Sequence, residues 1–115
     1  MSYPKSFYQD MAEPGTFALA AVGAVNILGQ SRYHAVYVEW GADTTAGSIV
    51  VEHAPHKDYT GTWKNLATFN WATAGILDAW LGEGAYGAIR VRVATAVAGA
   101  AGSPTGGFKS TYIGL

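Results

Sequence analysis

Apolar and polar residues alternate along much of this chain with a period of two, the spacing at which successive strand side chains point to opposite faces. The first clear run is Tyr33-His34-Ala35-Val36-Tyr37-Val38-Glu39-Trp40, rich in β-branched and aromatic residues and ended by Gly41. His34, Val36, Val38 and Trp40 fall on one face; Tyr33, Ala35, Tyr37 and Glu39 fall on the other. A second run, Gly47 to His53, follows a short turn region at 41–46, as a hairpin partner would. Ile49 and Val51 share one of its faces and Val50 takes the other. Asp58 to Leu66 reads as another extended stretch with Gly61 at a bulge or bend. The cleanest alternation is Ala88 to Ala94, where Ile89, Val91 and Val93 oppose Arg90 and Arg92. A tight turn over Gly82–Gly87 precedes it. The tail, Phe108 to Leu115, alternates again and is placed to close a sheet.

Ala72 to Leu81 fits two periods. Ile76, Leu77, Trp80 and Leu81 have helical spacing, but the surrounding strands favour an extended segment with a turn near Asp78. Val97 to Gly107, rich in Gly, Ala, Ser and Pro, reads as a loop or mobile arm. Short strands separated by glycine-rich turns predict an all-β fold: a two-sheet antiparallel β-sandwich, jelly-roll-like or immunoglobulin-like. One domain, residues 17–115, carries it. Residues 1–16 form an N-terminal arm, whose Pro4 and Pro14 favour an extended path. The expected core is Val36, Val38, Ile49, Val51, Trp63, Ile89, Val91 and Val93.

Composition changes the picture in one respect. Only 13% of the 115 residues are charged, about half the ~25% usual for a soluble domain. A domain of this size is dominated by its surface, so this deficit predicts that part of the surface faces protein, where interface cores lose charge and gain aromatics. The arm residues Tyr3, Phe7 and Tyr8 are expected to pack on a neighbouring subunit. A net charge of −1 and scattered Lys and Arg residues argue against nucleic acid as a partner. The longest apolar stretch, Phe17 to Leu28, is interrupted by Gly23 and Asn26 and is shorter than the ~20 residues of a membrane helix. The N-terminal residues lack a signal-peptide layout and there is no cysteine, which fits synthesis in a reducing cytoplasm.

Two elements carry a resemblance. Tyr59-Thr60-Gly61-Thr62-Trp63-Lys64-Asn65-Leu66, followed by the strand Gly87-Ala88-Ile89-Arg90-Val91-Arg92-Val93, resembles a module of virion proteins of tailed bacteriophages. The likeness spans about Gly47 to Val97. It implies a small β-sandwich of the capsid decoration (cement) type, on the capsid surface of a virion, with the major capsid protein as partner and a homotrimer as the assembly. The same fold serves tail or connector subunits and glycan-binding modules, and these remain alternatives.

The residues themselves offer little chemistry. His53 and His56 have ligand-type spacing beside Glu52 and Asp58, but no third histidine is near except His34, and zinc sites take three or four protein ligands. We expect a polar loop and no metal. There is no nucleophile elbow, and Gly82-Glu83-Gly84 lacks the context of a phosphate loop. Nothing fixes Asp78 and Glu83 as a carboxylate pair. The expectation is a protein without catalysis or cofactor. Arg90 and Arg92 are candidates for subunit contact, or for cross-strand pairing with Glu39 or Glu52 that holds register. Trp71 and Trp80 are the candidates for glycan stacking, against a place in the core or a subunit interface.

Overall fold

In the computed structural model, eight strands form two four-stranded antiparallel sheets packed face to face; the structure describes residues 7–12, 21–27, 31–41, 44–72, 77–99 and 107–115. The strands are β1 (Phe7–Ala12), β2 (Ala21–Asn26), β3 (Tyr33–Trp40), β4 (Thr44–Ala54), β5 (Lys64–Asn70), β6 (Leu77–Glu83), β7 (Ala88–Gly99) and β8 (Phe108–Gly114). The first sheet has the order β1-β8-β3-β6 and the second β2-β7-β4-β5. Only β4 and β5 are both consecutive and paired. Every other step leaves its sheet or skips a neighbour, which is the jelly-roll arrangement of the two folds expected.

That winding corrects several readings of the sequence. β3 and β4 are not a hairpin; they belong to different sheets. Their apolar faces meet across the interior, where Val36 and Val38 pack in one cluster with Ile49 and Val51. The chain crosses between them at Gly41–Thr44, where Gly41 N–H and the Thr44 hydroxyl both donate to Gly107 C=O at 2.8 and 2.7 Å. The stretch 58–63 is loop and β5 begins at Lys64. Trp63 Nε1 donates to Tyr59 C=O at 2.9 Å, folding the loop onto itself instead of into a ladder. Asp78 is no turn: it lies inside β6, opposite Val38. Val97 is no loop residue either, because β7 runs on to Gly99 against the first residues of β4. The contact is close enough to need glycine at Gly47, whose φ is 143° and whose missing Cβ would strike the backbone of Val97.

The main core joins Ile27, Val36, Val38, Trp40, Ile49, Val51, Ile89, Val91, Val93, Val97, Phe108 and Tyr112. All eight expected core residues are buried. Trp63 differs in place, packing with Ala54 and Ala88 in a second, smaller cluster. Each fully buried Val or Ile contributes roughly 1.5–3 kcal/mol of transfer free energy, so the interior fixes the register of both sheets. Within the expected arm, residues 7–12 are β1 and pair with β8 of the same chain. β1 completes the backbone pairing on the side of β8 away from β3. Tyr3 lies outside the described residues.

Candidate functional site

The outer faces of the two sheets differ in kind. On the first sheet, the odd-numbered residues of β3, β6 and β8 point outward: Tyr33, Ala35, Tyr37 and Glu39; Leu77, Ala79, Leu81 and Glu83; Lys109, Thr111 and Ile113. Every large apolar residue that is exposed among the described residues belongs here or directly follows β8. They are Leu81 at 70%, Leu77 at 56%, Tyr33 at 51%, Leu115 at 47% and Ile113 at 37% exposure.

Strand register gives this face its relief. Ala35 in the central strand stands opposite Leu81 on one side and Ile113 on the other. A small residue between two large ones makes a trough. Tyr33 and Leu115 close its end, forming an open groove of about 460 Å³. Charge is confined to its ends. Arg32 and Glu83 pair at 3.1 Å at one end, an exposed contact worth about 0–1 kcal/mol. Glu39 and Lys109 stand opposite one another at the other.

The second sheet turns charge outward and gathers it into one ion-paired cluster. Glu52, with a side chain only 5% exposed, takes Arg90 Nε and Nη2 at 2.7 Å each and Arg92 Nε at 3.1 Å, all on Oε1. Glu52 stands opposite Arg90, while Arg92 is its diagonal neighbour opposite Val50. The Arg90 guanidinium also lies 4.1 Å from the centre of the Trp63 ring, a cation–π contact. Of the two pairings expected for these arginines, the one with Glu52 forms. Glu39 lies on the other sheet.

Beneath the apolar face sits a polar chain that the sequence did not reveal. His34, 3% exposed, contacts Gly84 C=O through Nε2 at 2.8 Å and the Tyr112 hydroxyl through Nδ1 at 2.7 Å. A carbonyl can only accept, so Nε2 carries a proton, and in the neutral ring Nδ1 accepts from Tyr112 O–H. Tyr112 is bonded in turn to the Ser31 side chain, and burial pushes its hydroxyl above the usual range despite that bond. Trp80, Tyr86 and Tyr112 surround the His34 ring. His34, Tyr112 and Ser31 are joined in this network, so it braces the floor of the groove.

No protein-family model and no curated protein matches the chain. Among solved structures it is similar to the crystal structure of SPBc2 prophage-derived protein YomS, with a TM-score of 0.65 and 12% sequence identity over 99% of this chain and 96% of that one. The two share a fold.

The remaining candidates are dispersed. Phe7 and Tyr8 stand on β1 at register positions opposite Gly114 and Ile113, next to the apolar groove. Trp80 is on the inner phase of β6 and Trp71 packs against the main core. Both are half-buried, and Trp71 Nε1 is buried without a hydrogen-bond partner among the described residues. Asp78 and Glu83, five residues apart in one strand, point to opposite faces. Asp78 accepts from Trp40 Nε1 at 2.7 Å and Glu83 binds Arg32, so they are not a carboxylate pair. His53 and His56 diverge, one against Tyr86 and the other against Tyr59. Burial, helped by the Lys64 ammonium, holds His53 below its ordinary value of 6.5. Among the described residues, no three His, Cys, Asp or Glu side chains converge as a metal site.

Proposed function

We propose that this chain is a structural subunit of a phage particle, and within it a head decoration protein that bridges neighbouring copies of the major capsid protein. The observation that carries the reading is the apolar outer face of the first sheet, which gathers the exposed Leu77, Leu81, Ile113, Leu115 and Tyr33 on a rigid, braced surface. Exposed apolar surface gathered in this way is a mark of protein contact. The likeness in fold to a prophage-derived protein supports the phage setting. The inward orientation of Trp80 and the packing of Trp71 on the core favour protein contact over glycan stacking.

Bridging stabilises a lattice because separating two capsid subunits also requires breaking their contacts to the protein across them. Many modest contacts then act at high effective concentration. Adhesion through an apolar face survives high salt, since little of it is ionic. The test is to locate the protein in an electron-microscopy map of the particle and to heat heads that lack it. Density on the capsid surface, with DNA lost at lower temperature when the protein is omitted, supports the reading. Density on the tail, or equal thermal stability with and without the protein, overturns it in favour of a tail or connector subunit.

A further inference from the structure

Each sheet has two edge strands, and the four edges are not alike. β1 has a register shift between Asp10 and Ala12, and β2 has one between Val22 and Ala24. β5 pairs across a shift between Val51 and Glu52 and begins with an exposed lysine, Lys64. Bulges and edge lysines are devices that stop a sheet from growing. β6 has neither, and its inward-pointing charge, Asp78, is already bound by Trp40 Nε1. Its seven residues, Leu-Asp-Ala-Trp-Leu-Gly-Glu, pair with β3 over Leu77–Glu83 without a shift and include neither proline nor lysine. Among the described residues, β3 is its only strand neighbour.

The sequence of β6 is also complementary to itself. In an antiparallel pair of two copies centred on Trp80, all seven residues are paired, with Leu77 opposite Glu83 of the partner subunit at each end. Ala79 then faces Leu81 of the partner subunit, small against large, and Asp78 faces the partner subunit's Gly82. The two Asp78 carboxylates end four residues apart along the strands, about 14 Å at 3.4 Å per residue, beyond the ~8 Å Debye length. A parallel pair would instead set Asp78 beside Asp78 of the partner subunit and Glu83 beside the partner's Glu83, which is destabilising.

We propose that β6 is the homodimer edge of this protein: two copies join antiparallel through Leu77–Glu83 about a two-fold axis at Trp80, making one eight-stranded sheet. This two-fold pair takes the place of the trimer that the resemblance implies. It holds wherever in a particle the protein sits. Joined this way, the two apolar outer faces become a single continuous surface, twice as wide as either alone.

The test is a charge exchange at two exposed positions, Ala79 and Leu81, read by sedimentation equilibrium of the full-length chain. The parent protein is expected to sediment as a dimer. A79K/L81K sets two ammonium groups opposite each other at both symmetry-related places, and the dimer should be lost. A79K/L81E sets an ammonium opposite a carboxylate at the same places, and the dimer should be kept. Far-UV circular dichroism checks that both variants are folded. Hydrogen exchange of the β6 amides gives a second readout: slow in the parent and in A79K/L81E, fast at the free edge in A79K/L81K. A monomeric or trimeric parent overturns the proposal. So does the same oligomeric state in both folded variants, since only the stated register makes their charges differ in effect.

Discussion

Glu52 holds the ion-paired cluster on the outer face of the second sheet together. Its carboxylate is 5% exposed and a single oxygen receives three arginine contacts at 2.7–3.1 Å. Glu52→Gln keeps the volume and one acceptor but removes the charge. Breaking a fully buried ion pair costs about 3–5 kcal/mol. Here the arginines are partly wet, at 21% for Arg90 and 40% for Arg92, so Arg92 recovers much of its hydration. The net effect should be about 2–3 kcal/mol, most of it from Arg90. A chain of this length has an unfolding entropy of roughly 0.24 kcal/mol/K, so the melting temperature should fall by about 8–12 °C. Thermal unfolding followed by circular dichroism at pH 7 reads this directly. Double-mutant cycles should give a larger coupling for Glu52 with Arg90 than with Arg92. The Glu52–Arg90 coupling should persist in about 1 M salt, where the Debye length is about 3 Å and the exposed Arg32–Glu83 pair is screened. A fall under about 3 °C, or a larger coupling to Arg92, would refute the reasoning that burial sets the strength of this cluster.

Three further outcomes follow from the site. Asp78→Ala leaves the buried Trp40 indole N–H without its acceptor and should lower stability by about 1–2 kcal/mol, measured by urea unfolding. His53 is held below its ordinary value of 6.5, so the folded state binds protons less readily than the unfolded chain; its contribution is present above pH 6.5 and is lost as pH falls through the folded value. His53→Gln should therefore flatten the acid limb of a plot of urea midpoint against pH, and an unchanged limb would count against the assignment. I113K/L115K places two charges in the apolar groove away from β6; particle binding in a co-sedimentation assay should be lost, while stability moves by less than about 1 kcal/mol.

The parts of the fold legible in the sequence are those where one face of a strand is buried. Tyr33–Trp40 is β3 with the bounds its alternation predicts, and Ile89, Val91 and Val93 are buried as their spacing requires. Residues that owe their conformation to distant partners were not legible. An aspartate in an apolar run reads as a turn, but Asp78 is held in β6 by Trp40, 38 residues away. Val97 lies in a Gly- and Ala-rich stretch and becomes strand only because β4 comes alongside. The role of His34 depends on Tyr112 and Gly84, 78 and 50 residues distant. Alternation put Arg90 and Arg92 on one face, but choosing Glu52 over Glu39 needed the strand order. The apolar face was hidden for a different reason. β6 carries Trp80 on one phase and Leu77, Ala79 and Leu81 on the other, so it reads as a strand buried on both sides.

Knowing where those side chains point changes the meaning of the low charge. The deficit is not spread evenly. The chain has seven basic and eight acidic residues, and the outer face of the second sheet gathers Glu52, Arg90 and Arg92 into one cluster. On the outer face of β3, β6 and β8, charge among the described side chains appears at the ends of the strands, as Glu83 with Arg32 and as Glu39 opposite Lys109. Between those ends the surface is Leu, Ile, Ala, Tyr and Thr. Dispersed low charge would make a poorly soluble protein with no preferred contact. Concentrated on one face, between the Arg32–Glu83 pair at one end and Glu39 opposite Lys109 at the other, it gives the domain one surface suited to protein contact. The contact proposed for that surface then depends on shape, which is set by Ala35 lying between Leu81 and Ile113.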